Sequence, residues 1–314
     1  MADVVCLGIL VADLVGMPLD VYPERGKLVL VDQLELHSGG CAANTAIDLK
    51  KIGIDTGIIG KVGQDGLGDF MISALDRNQV DSRGVARDPK VGTSGTMVVV
   101  HSDGERSFIH YLGANASLTD ADIDWSLIEG AKILHVAGTF LMPGIDGEPT
   151  ARVLKKAKSM GITTALDTAW DSRGRWMSAL KPCLPYIDYA VPSLAEARMV
   201  TGMEDPADVA RVLMDHGVKI VGLKMGEEGC YVKSADVEIT IPRYEVKAID
   251  ALGAGDAFAA GFIAGVYYGW DLEKTGRFAN AVGACCVTAV GATTGIKSME
   301  ETLEFMENYG PASK

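Results

Sequence analysis

Short apolar runs alternate along this chain with segments whose apolar positions recur every three or four residues. Residues 4–9 are continuously apolar, the pattern of a strand buried on both faces. Residues 41–52 have helical periodicity and small side chains for close packing, and Gly53 follows as a stop. A second helix is predicted over 67–77. Strands follow at 133–136, 163–166, 187–191 and 220–223, with helices near 149–160, 194–200 and 206–216 between them. This alternation predicts an α/β fold, a mainly parallel central sheet flanked by helices on both faces.

Two stretches depart from the rhythm. Residues 27–36 and 96–111 are β-like, and 97–101 and 107–111 flank Ser102-Asp103-Gly104-Glu105-Arg106. Asp-Gly between β-rich runs predicts a hairpin. It is either a small antiparallel flap standing off the main sheet or an edge extension of that sheet. From 253 to 295 small residues dominate. A Gly-rich turn, Gly253-Ala254-Gly255-Asp256, enters one helix, and a second is predicted over 272–289 with Gly291 beyond it. Neither an internal repeat nor a low-complexity linker divides the chain.

Composition narrows the function classes. The 314 residues carry 29 basic and 42 acidic side chains, a net charge of −13, which disfavours nucleic acid and anionic membranes as partners. Six cysteines at 6, 41, 183, 230, 285 and 286 contain no CxxC and read as free thiols. The five histidines lack zinc-site spacing. The longest uncharged run, 278–296, holds Asn280, three threonines and three glycines, so it fits a buried helix and its exit better than a membrane span. Asp3 stands where an export signal needs positive charge, and a cytoplasmic location is expected.

Two motifs could carry chemistry. In Asp250-Ala251-Leu252-Gly253-Ala254-Gly255-Asp256, glycines let the backbone approach a ligand, and helix N-terminal amides attract anions, phosphate above all. Asp256 fits either a helix cap or a base beside a transferring phosphoryl group. In Ser38-Gly39-Gly40-Cys41-Ala42-Ala43-Asn44, paired glycines and an Asn either present amides to a polyol or simply form a tight strand-to-helix turn. Neither a Walker GxxxxGK[ST] nor a dinucleotide fingerprint after the first strand occurs.

Taken together, Gly39-Gly40-x-x-x-Asn44-x-Ala46, then Gly60-Lys61-Val62-Gly63-Gln64-Asp65-x-x-Gly68, and later Asp250-x-x-Gly-Ala-Gly-Asp256-x-Phe258-x-x-Gly261-Phe262, resemble the two signatures of the ribokinase-like (PfkB) carbohydrate kinases, in their order. The resemblance extends over essentially all of 1–314. It implies a single ribokinase-like domain with a small β lid formed by inserted segments at about 12–36 and 92–113.

The resemblance also implies roles. Asp256 would be the catalytic base, and the amides of Gly253, Ala254 and Gly255 the anion hole. Asp13 would hold sugar hydroxyls, helped by Gly39, Gly40 and Asn44, with Arg106 or His110 reaching in from the lid. Ser193, which replaces the family's Asn, would join Lys224, Gly226, Gly229 and Asn280 on the nucleotide, and Glu196 would position Mg²⁺ through water. Backbone carbonyls of Asp250, Leu252, Cys286, Gly291 and Gly295 would form a K⁺ site.

The implied activity is transfer of the γ-phosphoryl group of Mg·ATP to a primary hydroxyl of a sugar or sugar-like alcohol. A nucleoside or a 2-keto-3-deoxy sugar acid is the alternative acceptor. Arg106, Arg173 or Arg175 would serve an acid. A non-catalytic sugar or nucleotide sensor and a dinucleotide-dependent oxidoreductase are the competing classes. A homodimer joined through the lids is expected.

Overall fold

The computed structural model describes residues 2–103 and 105–309, so Gly104 of the expected hairpin turn lies outside the described residues. In chain order the strands are β1 (Val4–Gly8), β2 (Val11–Met17), β3 (Gln33–Gly39), β4 (Thr56–Gly63), β5 (Asp81–Asp88), β6 (Gly95–Val100), β7 (Arg106–Tyr111), β8 (Ile133–Thr139), β9 (Thr163–Thr168), β10 (Tyr189–Ala190), β11 (Ile220–Lys224), β12 (Cys230–Lys233) and β13 (Glu238–Ile241). Nine of them form one sheet in the order β13-β12-β11-β10-β9-β8-β1-β4-β5. It is parallel from β11 through β5, and β12 and β13 close one edge antiparallel.

The continuous apolar run of β1 is explained by its central place. Val5 and Leu7 pack on one face with the helices Glu148–Ser159, Leu194–Thr201 and Pro206–Asp215. Val4 and Cys6 point to the other face, against Cys41–Ile52, Ala254–Tyr267 and Leu272–Cys286. Alternation with period two therefore feeds two separate cores from one strand. Val4, Val5, Cys6 and Leu7 are all fully buried.

The other four strands form a separate sheet, β3-β2-β6-β7. The hairpin is therefore no extension of the main sheet. Strand β2 was not foreseen as a strand, and β-structure in the first stretch covers Gln33–Gly39, with none at 27–32. Strands β4, β5, β12 and β13 were also missed, since short glycine-bearing or charged runs such as Thr-Gly-Ile-Ile-Gly-Lys-Val-Gly give little periodic signal. The second C-terminal helix ends at Cys286, three residues short of its predicted end.

Candidate active site

The parallel strands deliver their carboxyl ends to one cleft, the usual place for ligands in open α/β sheets. Strand β2 leaves that end of β1 and carries Asp13, 7% exposed. Register sets His37 beside Asp13 on one side and Thr96 on the other, with His110 across from Thr96. The Thr96 hydroxyl and His110 Nδ1 are 3.1 Å apart. Burial pushes the Asp13 carboxyl up to about 6, while Thr96 and His37 pull against that rise and Asp256 adds to it. A Cβ on Gly39 would stand 2.0 Å from Asp13 Oδ2, so only glycine leaves room for this carboxylate.

The helix Cys41–Ile52 aims its first turn at the motif that ends in Asp256. Asn44 Nδ2 donates to Asp256 Oδ2 at 2.8 Å, and the Thr45 hydroxyl donates to the Asp256 carbonyl at 3.5 Å. Burial raises the Asp256 carboxyl above its ordinary value; Asn44, Lys224 and the Cys41 thiol work against the rise. The helix Ala254–Tyr267 starts from Gly253 at φ +77°, where a Cβ would stand 2.4 Å from the Ala292 carbonyl oxygen. Ala254 N–H donates to the Ala251 carbonyl at 3.3 Å, so that amide is partly engaged within the turn. Beyond it, the first-turn amides of the helix face outward.

A cavity of about 590 Å³ opens beside this turn, lined by Ala254, Gly255 and Asp256 together with Ser193, Glu196, Lys224, Gly226, Gly229 and Asn280. The structure thus brings the expected nucleotide-side residues to one place. Glu196 Oε2 accepts from the Thr168 hydroxyl at 2.8 Å and from Ser193 N–H at 3.2 Å, while Ser193 caps the helix in return. Asn280 directs its amide to the Ile241 and Pro242 carbonyls at 3.1 and 3.0 Å. Lys224 Nζ donates to both Asp167 oxygens at 2.8 and 2.7 Å and lies 3.5 Å from the Gly255 carbonyl. Burial raises Asp167 to about 7 against the pull of Lys224. Burial opposes the charge of Lys224, but Asp167, Glu196 and Asp256 together hold its ammonium above its ordinary value.

Asp167, Thr168, His37 and Thr96 were not singled out from the sequence. For Asp167 a signal existed, a carboxylate just past a predicted strand in a parallel sheet. The others depend on strand register or on the helix entry angle.

The loops behind the turn are tied by Asp250, whose carboxylate accepts from Leu252 N–H at 2.7 Å and Gly291 N–H at 2.8 Å. Arg106, expected at the substrate, is engaged instead with Asp250: its guanidinium lies 2.7 Å from Asp250 Oδ1. The Leu252 and Ala292 carbonyls converge on the Cys286 thiol at 3.5 and 3.2 Å, and Gly295 lies against the Cys285 and Cys286 carbonyls, close enough that a Cβ would be 2.3 and 2.7 Å from them. Backbone carbonyls gather here, and the Cys286 thiol donates to two of them. Among the described residues no cluster of three or more His, Cys, Asp or Glu side chains could hold a metal by itself.

The sequence matches the family described as pfkB family carbohydrate kinase over residues 1–299. The chain is 29% identical to fructokinase-1 of Oryza sativa subsp. japonica, across 86% of this chain and 88% of that one. It is 28% identical to 2-dehydro-3-deoxygluconokinase of Bacillus subtilis, across 90% of each. The structure of Arabidopsis thaliana ribokinase complexed with ribose and ATP superposes with a TM-score of 0.83 at 25% identity, covering 98% of this chain and 99% of that one.

Proposed function

The chain belongs to the pfkB family of carbohydrate kinases, with the ribokinase-like fold, and on that premise we propose that it transfers the γ-phosphoryl group of Mg·ATP to a primary hydroxyl of a neutral sugar, with Asp256 as the base. The observation that carries this reading is the meeting of Asp256 with Asn44, the Lys224 ammonium and a helix N-terminus at the mouth of one cavity.

The acceptor hydroxyl, held by Asp13, Asn44 and the Gly39-Gly40 turn, gives its proton to Asp256 as its oxygen bonds to the γ-phosphorus. The bond from that phosphorus to the bridging oxygen breaks, and ADP leaves. The turn Gly253-Ala254-Gly255, with Ala254 N–H partly engaged by the Ala251 carbonyl and the first-turn amides beyond it outward, faces the oxygens on which charge accumulates. Ser193, Lys224, Gly226, Gly229 and Asn280 border the nucleotide. When bound, Mg²⁺ near Glu196 neutralises phosphate charge, and K⁺ among the carbonyls behind the turn steadies the anion hole. The sheet β3-β2-β6-β7 serves as the lid, excluding water from the closed site.

A neutral acceptor is favoured over a sugar acid because two of the three arginines available to a carboxylate, Arg106 and Arg175, are engaged elsewhere. Arg106 pairs with Asp250, and Arg175 with Asp146 at 3.0 Å and Asp171 at 3.5 Å. Arg173 is exposed. The name of the rice relative, fructokinase-1, agrees with a neutral acceptor, whereas that of the Bacillus subtilis relative, 2-dehydro-3-deoxygluconokinase, names a sugar acid. A nucleoside is the second reading, supported by Phe108, which shares with His110 the face of β7 that also carries Arg106 and is 59% exposed.

The opposite face of the lid carries Leu14, Leu34, Leu36, Met97, Ile109 and Tyr111, all exposed. A second copy of the chain covering this face makes the protein a homodimer. All six cysteines are free, in keeping with a reducing cytoplasm. No helix among the described residues is long and apolar enough to cross a membrane.

ADP release measured across pentoses, hexoses, ketodeoxy acids and nucleosides tests the reading. A neutral sugar should give the largest kcat/KM. A ketodeoxy acid as best acceptor would refute the neutral assignment. ADP release with none of them would refute the kinase assignment for these acceptors and favour a sensor.

A further inference from the structure

One polar row of side chains crosses the whole small sheet. In register it reads His37 on β3, Asp13 on β2, Thr96 on β6 and His110 on β7. The next row, Leu36, Leu14, Met97 and Ile109, is apolar and lies on the opposite face. Two bonds of the polar row share the Thr96 hydroxyl. His110 Nδ1 lies 3.1 Å from Thr96 Oγ1, and the same hydroxyl hydrogen-bonds the Asp13 carboxyl and favours its ionised form.

The directions of these bonds follow from proton counting. A hydroxyl has one proton to give, and an ionised carboxylate only accepts. Thr96 therefore donates to Asp13 and accepts from His110. Partial burial pulls the His110 imidazole below its ordinary value, so the ring is neutral at neutral pH and carries one N–H. That N–H is on Nδ1, and Nε2 keeps its lone pair.

We propose that Thr96 and His110 are positioning residues for the acceptor: their one-way chain of hydrogen bonds keeps the Asp13 carboxylate ionised and fixes which of its lone pairs remain for sugar hydroxyls. The consequence for the sugar rests on the kinase reading, but the direction of the chain does not. Asp13 is 7% exposed, and no lysine or arginine pairs with it among the described residues. Of the charged groups around it, His37 favours its ionised form and Asp256 opposes it. His37 is itself bonded to Glu35 at 2.8 Å, and Arg106, on the same face of β7 as His110, is held by Asp250. A buried carboxylate so placed depends on hydrogen bonds, and a hydroxyl that is itself held by an imidazole N–H has its proton aimed and polarised toward donation. Protonation of Asp13 reverses the row: Asp13 then donates to Thr96, Thr96 donates to His110 Nδ1, and the ring proton moves to Nε2.

The test uses Thr96→Val, Thr96→Ser, His110→Asn and His110→Phe in the full chain. Two measurements need no substrate: carbon NMR titration of the Asp13 carboxyl and nitrogen NMR of the His110 ring. Wild type should show the Nδ1–H tautomer at pH 8 and the Nε2–H tautomer once Asp13 is protonated. Thr96→Val should raise the Asp13 midpoint from about 6 by about one pH unit, a tenfold change in proton affinity and the scale of one hydrogen bond to a charged group. Its sugar KM should then be about fivefold above wild type at pH 6 and nearly equal to it at pH 8, with ATP KM unchanged. Thr96→Ser should restore wild-type behaviour. His110→Asn, which keeps a donor at the Nδ1 position, should come closer to wild type than His110→Phe. A KM defect of the same size at both pH values, with the Asp13 midpoint unmoved, would mean that these residues touch the sugar or merely pack, and would overturn the proposal. So would an Nε2–H ring at pH 8. Should the wild type phosphorylate no acceptor while the Asp13 midpoint still responds to Thr96→Val, the kinase reading fails and the chain of hydrogen bonds stands.

Discussion

Asn44 and Asp256, 212 positions apart in the chain, meet in a hydrogen bond of 2.8 Å between Nδ2 and Oδ2. The bond aims the carboxylate from the helix that carries the proposed acceptor contacts, so in the proposed reaction acceptor and base are placed by one element. Asp256→Asn removes the proton acceptor and keeps the size. It should fold normally, bind ATP and lose at least about 10²-fold in kcat, the lower bound for a positioned general base. Circular dichroism, nucleotide titration and turnover check the three parts. Undiminished kcat would exclude Asp256 as the base.

Asp13 gives a pH dependence. Its carboxyl, raised from 3.8 to about 6, must be ionised to accept strong hydrogen bonds from sugar hydroxyls. Sugar KM should therefore climb as pH falls through about 6, and Asp13→Asn should flatten that limb.

The same shift has a sign for stability. A folded pKa above the unfolded one means that the native state binds the extra proton. Its stabilising contribution is complete below 3.8 and lost as pH rises through about 6. Asp13→Asn should thus raise the denaturation midpoint at pH 8, with the advantage shrinking toward pH 4, while sugar binding is weakened at both. Equilibrium urea unfolding at the two pH values measures this.

Gly39→Ala would place a methyl 2.0 Å from Asp13 Oδ2. The carboxylate must swing away, so sugar KM should rise about tenfold or more, the cost of losing a charged hydrogen bond, with ATP KM little changed. Equal effects on both substrates would argue against a role confined to the sugar cradle.

Lys224→Met leaves Asp167, 1% exposed, without its cation. Asp167 then takes up a proton rather than remain charged, which limits the loss of stability to about 1–3 kcal/mol. Adding Asp167→Asn should recover stability but not turnover. Recovery of both would reduce Lys224 to a structural ion pair.

Replacing Met97 or Leu14 by Glu on the outer lid face should convert a dimer to monomer without unfolding it, as read by sedimentation velocity. An unchanged sedimentation coefficient in both variants would remove this face as the interface.

The sequence alone determined the α/β class, because apolar runs such as 4–9 and helical periods such as 41–52 are local consequences of burial. It also determined the pairing of Gly39-Gly40 with Asn44 and the Gly-rich entry to Asp256, since backbone approach and helix capping are set within a few residues. Tertiary structure decided the rest. Register across β2, β3 and β6 brings His37 and Thr96 to Asp13, and no local pattern encodes register between strands so far apart. Asp167 and Lys224 form an ion pair from two strand ends, of which the sequence reading singled out only Lys224. Arg106 looked like a residue for the substrate, but the fold carries it to Asp250, 144 positions later by their numbering, because a long side chain on a separate sheet reaches wherever that sheet is docked.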